Sequence, residues 1–283
     1  MRRRSIVREL QNNLLVVWAV FVRDITFWLR YPSWIFTFIA LPYMFSGLFY
    51  GMGYALAGPS SLKNFASKTG TENAFLYYTI GSFILLFTEL VLSDVSASIR
   101  SEQLRGTFEI NYVTPTNKLV LWSAPVIPHG LMSSGIMIAS TLPVVIIEAG
   151  KLDPVNFFIA VMVLFLGILP LLGLGMVMAA LTMRFKEPWA VINMVRVILY
   201  LLSGIYYPLT VLPEYLRYMA VVVPPNYMVD ILRDLLIFQR KVILSDYRIL
   251  ALFILSSIYL ILGFSLYRRW EQNARRTGEI SKY

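Results

Sequence analysis

The sequence predicts an all-α integral membrane protein with six transmembrane helices, an N-terminal interfacial amphipathic helix before them, and a re-entrant outer hairpin between spans five and six. Three observations carry that prediction. Apolar and aromatic residues fill 58% of the 283 positions and charged residues only 14%, against about 25% in soluble domains, so a water-soluble globule is ruled out. The ionisable groups are spaced so that six long runs are left without charge. Every run holds Gly or Pro, among them Pro42, Pro143, Pro170, Gly204 and Pro208, which neighbouring helices in a bundle accommodate, and none alternates as barrel strands do.

Taken in order, the first 30 residues imitate a signal peptide, with Arg2, Arg3 and Arg4 ahead of an apolar core at 14–22. Arg23 and Asp24 stand where a small-residue cleavage site belongs, and Leu10, Leu14, Val17, Phe21, Ile25 and Trp28 recur at helical spacing. Residues 6–29 therefore read as an amphipathic helix in the cytoplasmic interface. The spans follow at 31–62, 73–88, 119–147, 154–183, 197–213 and 249–267, each near or above the ~20 residues that cross a ~30 Å hydrocarbon core. The second reaches span length only with Glu89 and Asp94 inside the helix, and the fifth only with Arg196. Residues 31–283 thus form one six-span domain without internal repeats.

With the N-terminus placed inside, 16 of the 25 Lys and Arg fall on the inner side and 8 on the outer, Arg196 lying within the membrane. That bias supports two cytoplasmic termini and a multi-pass cell-membrane protein. The connection after span five is broken by Pro208, Pro213, Pro224 and Pro225 into pieces too short to cross. An outer hairpin over about 208–240 results, with an amphipathic helix expected from Asp230 to about Phe238.

The net charge of +9 is matched most simply by a lipid surface rather than nucleic acid. Cysteine is absent, and His129 is the single histidine, so thiolate chemistry, a His-rich metal cluster and any two-imidazole mechanism are excluded. His129 itself reads as an interfacial residue without chemistry. Glu89 and Asp94 are five positions apart, roughly 140° around a helix, and so do not converge as a membrane-embedded transferase or hydrolase would require.

Between spans two and three, Gly106 reads as a hinge, Thr107 as a cap and Pro115 as a stop, giving a short surface helix at about 106–114 that presents Phe108, Tyr112 and charged neighbours to a partner. The segment 102–115, with Glu102, Arg105, Gly106, Thr107, Glu109, Thr114 and Pro115, resembles the cytoplasmic loop of permease subunits in the type 2 ATP-binding-cassette (ABC) transporter family, in its drug and lipid exporter form. A second segment, running from Leu202-Ser-Gly through Tyr206-Tyr207-Pro208 and Leu212-Pro213 to Pro224-Pro-Asn-Tyr227 and Leu232-Arg233, is similar to the family's fifth span and outer hairpin.

The resemblance implies an exporter half: a second permease, identical or homologous, completes the path, and an ATPase subunit, two copies per complex, docks beneath. Residues 106–114 would be the coupling helix and 6–29 the connecting helix. ATP and Mg would be bound by the partner ATPase, with no cofactor in this chain, since no Gly-x-x-x-x-Gly-Lys-Ser/Thr phosphate loop occurs in it. The cargo would be an amphipathic small molecule, drug or lipid. A polysaccharide or lipid-linked glycan exporter shares the architecture, but the Arg-Tyr-Arg run expected of it near span one is reduced to Arg30-Tyr31-Pro32. A non-transporting receptor or scaffold would not need a coupling helix.

Three ions remain in the membrane. Glu89 lies about 11 residues outward of Arg100, and Arg196 about 10 outward of Lys186, so both sit ~15 Å from the inner surface and can pair, as a fixed ion pair or as a gate. Asp94 is expected to reach the interface. Phe83, Phe87, Met194, Tyr200, Tyr206 and Tyr207 supply candidate walls for the substrate path, with packing as the competing reading. Gly47, Gly51 and Gly53 are expected to permit close helix approach in span one.

Overall fold

The computed structural model describes residues 2–149, 153–184, 188–243 and 245–277. The side chains of Ile6 and Lys186, used above to place the first helix and the depth of Arg196, lie outside the described set. The described residues are helical throughout, with no strand among them: α1 (Arg2–Arg30), α2 (Pro32–Ala57), α3 (Ser60–Thr69), α4 (Ala74–Arg105), α5 (Phe108–Val113), α6 (Lys118–Ser123), α7 (Val126–Ala149), α8 (Pro154–Arg184), α9 (Pro188–Leu202), α10 (Glu214–Ala220), α11 (Pro224–Leu236) and α12 (Tyr247–Thr277).

Six stretches are long and apolar enough to cross a membrane: Glu9–Arg30, Pro32–Ala57, Ala74–Arg105, Lys118–Ile147, Pro154–Leu181 and Tyr247–Thr277. The number matches the sequence expectation but the membership differs. The C-terminal 22 of the 29 residues of α1 qualify, whereas α9 has only 15 residues, about 22 Å at 1.5 Å per residue. The expected fifth span at 197–213 is therefore corrected. Its helix starts nine residues earlier and stops at Leu202, because Gly204 takes φ 66° and Pro208 follows; only a 3-10 turn, Leu209–Val211, lies between there and α10.

The outer segment needs a second correction. Pro224 and Pro225 occupy the first turn of α11 and begin it rather than interrupt it, since proline's fixed φ suits a helix start and its missing N–H is unpaired there anyway. The helix expected from Asp230 thus starts six residues sooner. Eleven of its thirteen residues are buried, packed against α8, α4 and α12.

At the centre stands α8, packed chiefly on α12 and α4. A Cβ at Gly263 would overlap the main chain of Gly173, and one at Gly173 would overlap the main chain of Tyr259 and Leu260, so these two helices touch backbone to backbone. Span one does not do this within the chain. A Cβ at Gly47, Gly51 or Gly53 would meet nothing within 4 Å.

Candidate functional site

Helix α5 hangs from the end of α4 at Gly106, whose φ of 71° terminates α4 in the left-handed region. The chain can turn there because glycine carries no Cβ to clash. Thr107 sits at the N-cap position but its side chain makes no cap; its hydroxyl donates to the Glu102 carboxylate instead. Asn111 Nδ2 donates to the same carboxylate oxygen at 2.9 Å, tying the amino half of α5 back to α4. Thr114 is extended, as the residue before Pro115 must be, and ends the helix.

The other end is closed by Lys118. Its Nζ donates to the carbonyls of Asn111 at 2.5 Å and Thr114 at 2.7 Å and to the Thr114 hydroxyl at 3.1 Å, with the residue 5% exposed. These are the carbonyls a helix end leaves without partners, and an ammonium there also suits the dipole.

Phe108 and Tyr112 face inward, which corrects their assignment as outward contacts. Phe108 is 2% exposed, stacked 5.9 Å from Trp122 and meeting Tyr112 edge-on at 4.9 Å. The Tyr112 hydroxyl lies 3.1 Å from that of Tyr267, and Arg275 lies over its ring at 5.3 Å. Burial pushes the Tyr112 hydroxyl up to about 12, so it stays neutral at any physiological pH. The outward face carries Leu104, Arg105, Glu109, Ile110, Val113, Thr114 and Pro115, with Leu104, Ile110 and Val113 at 74%, 65% and 86% exposure. On α5 Ile110 and Val113 are bare beside Glu109, and Leu104 at the end of α4 extends this exposed apolar surface.

Farther along α4, Arg196 Nη1 of α9 lies 3.0 Å from Glu89 Oε1, and its Nη2 donates to Ser93 Oγ at 2.7 Å. Ser93 Oγ in turn donates to Glu89 Oε1 at 3.0 Å, and the Tyr200 hydroxyl donates to Glu89 Oε2. The break after α9 is held by Arg233, which donates to the carbonyls of Gly204 at 2.8 Å and Ile205 at 2.5 Å and stacks 3.4 Å from the Tyr77 ring.

Asp94 is buried within the bundle, and His129 Nδ1 lies 2.7 Å from its Oδ1. His129 Nε2 faces Asp24 Oδ2 of α1 at 4.0 Å, and Trp28 packs against the imidazole at 5.9 Å.

The six wall residues are not brought together. Phe83 and Phe87 are 3% and 2% exposed in the core, Phe83 meeting Tyr43 of α2 edge-on, while Met194 is 66% exposed on α9. Tyr200 belongs to the Glu89 cluster, Tyr206 packs on Phe49 at 4.0 Å, and Tyr207 donates to the Leu201 carbonyl. Sequence reasoning gave Lys118 and Asn111 no role, read His129 as an interfacial residue without chemistry, and carried Arg233 only within the family-like segment. The one available signal was that Lys118 is a lone basic group just ahead of an apolar run and His129 a lone one within it.

Fold and site together define a multi-pass helical membrane protein with a short braced helix, bare on its outward face, at one end of the bundle. A family model described as ABC-2 type transporter matches residues 15–237, and the chain belongs to that family. It is accordingly an ABC transporter permease, the membrane component rather than a catalyst, of a kind that generally works with an ATPase subunit. No curated protein matches the chain.

Proposed function

We propose that the chain is the permease of an exporter, which pairs with a second permease, identical or homologous, and moves an amphipathic drug or lipid outward through the cell membrane. The observation that carries this reading is α5: held at Glu102 and Lys118, seated on Trp122 and Tyr267, and bare along Leu104, Glu109, Ile110 and Val113. A receptor or scaffold has no need for a rigid strut with an unoccupied apolar face.

In this reading α5 is the cytoplasmic coupling helix, two ATPase copies bind ATP and Mg, and both termini are cytoplasmic. Helix α1 is interfacial although long enough to cross, since among its described side chains the buried ones, Val20, Asp24 and Trp28, all lie in its carboxyl half against the α6 and α7 region. The Gly204 to Leu236 region, with its two short helices, serves as the re-entrant outer hairpin. The test is Glu109→Lys in the complex reconstituted with its ATPase. Substrate-stimulated hydrolysis and ATPase co-purification should fall several-fold while the permease inserts normally; unchanged coupling would remove the assignment.

A further inference from the structure

The α5 end of the bundle contains a cavity of about 440 Å³ between α1, α2, α4, α6 and α7, a volume within the range of small-molecule sites. One wall is aromatic, built from Trp28, Trp34, Phe38 and Trp122; the rest includes Ser98 and five ionisable groups, Arg23, Asp24, Glu102, Arg105 and His129. Trp34 is half exposed, as is Phe27 beside it, so the cavity opens sideways between α1 and α2 as well as toward α5.

The charges divide by depth. Arg105 is exposed, and Arg23 has 61% of its side chain in solvent while its Nε holds Asp24 Oδ1 at 2.7 Å. Glu102 spends Oε2 on Thr107 and Asn111. Asp24 differs. The residue is 7% exposed, yet its Oδ2 carries no hydrogen bond, and the nearest ring nitrogen, His129 Nε2, is 4.0 Å away and already backed by the buried Asp94. The buried groups here are thus two carboxylates and one imidazole, with Arg23 set against Asp24 through Oδ1 from the solvent side, so the contact left unmade is the one to Oδ2. A buried carboxylate oxygen without a donor is costly, and a cation with apolar substituents would satisfy it while its body lay on the indole faces.

We propose that this cavity binds a lipophilic monovalent cation, a tertiary or quaternary ammonium or phosphonium, admitted from the inner leaflet between α1 and α2. The proposal deepens the export reading by assigning the cargo's charge and its first holding place, and it rests on that reading only for the direction of movement.

The probe is tetraphenylphosphonium, with tetraphenylborate as an anion of the same shape, titrated against the purified full-length permease in nanodiscs by intrinsic tryptophan fluorescence. Tetraphenylphosphonium should bind saturably, Asp24→Asn should weaken it about tenfold, as loss of one charge-assisted contact implies, and Trp34→Leu should weaken it while leaving the Asp24 cluster intact. In this Cys-free chain, Ser98→Cys should react with a maleimide more slowly when tetraphenylphosphonium is present, a readout that holds even if the Asp24 variant folds poorly. Equal or tighter binding of tetraphenylborate, or no protection at Ser98→Cys, would overturn the site. Binding with protection but no ATP-driven accumulation of tetraphenylphosphonium in vesicles would leave the site standing and count against the export reading alone.

Discussion

Arg196 Nη1 lies 3.0 Å from Glu89 Oε1 where α9 crosses α4, and Ser93 bonds both partners. Breaking such a pair strands one ion, whereas deleting both removes the need to desolvate either. Glu89→Gln or Arg196→Gln alone should cost roughly 1–3 kcal/mol, below the range for fully buried pairs because the Glu89 side chain is 34% exposed. The double variant should be more stable than the sum of the two losses predicts. Melting temperatures that fall additively around the cycle would show that the contact contributes nothing. Recovered stability without transport would make the pair a moving gate.

Lys118→Met keeps the apolar stem but removes the donor to the Asn111 and Thr114 carbonyls. Those acceptors, on half-buried Asn111 and exposed Thr114, lose a hydrogen-bond partner worth about 0.5–1.5 kcal/mol, spent locally on α5. Co-purification of the ATPase should fall while the melting temperature of the bundle changes little. Normal ATPase binding by this variant would mean that α5 keeps its shape without the ammonium.

Gly106 offers a separable test of backbone conformation, because a Cβ there would meet no atom within 4 Å. Any effect must come from its φ of 71°, which costs a β-branched residue about 1–2 kcal/mol and Asn much less. Gly106→Val should therefore impair coupling and Gly106→Asn largely preserve it. Equal behaviour of the two would show that the turn tolerates another conformation.

Packing predicts opposite fates for the Gly173–Gly263 pair and for Gly51. Gly173→Leu or Gly263→Leu drives a side chain into facing backbone and should destabilise the fold by at least about 1–3 kcal/mol. Gly51→Ala should leave the monomer's melting temperature unchanged, since its surroundings are open. A large loss from Gly51→Ala in the assembled transporter, absent in the monomer, would mark span one as a surface covered by the second permease.

Much of the architecture could be read from charge spacing, because an ion inside lipid is costly enough to keep the runs clean. Glu89 and Arg196 could be related for the same reason: each is a lone ion at similar depth. The orientation of α5 could not. Six residues give a helix two faces, and which one turns inward is decided by Trp122 and Tyr267, the latter 155 positions from Tyr112. His129 and Asp94 are 35 apart on different helices, with no period to relate them. The Pro224-Pro225 pair was ambiguous in principle, since proline both stops one helix and opens the next.

The ties of α5 also determine where a push on it goes. One tether, Glu102, belongs to α4; the other, Tyr112 against Tyr267, belongs to α12. Because α4 and α12 both lie against α8, and α12 meets it through glycine backbone without compressible side chains between, a load on α5 has two stiff exits that converge on a single column. Under the coupling role proposed for α5, the three long helices would tilt as one lever.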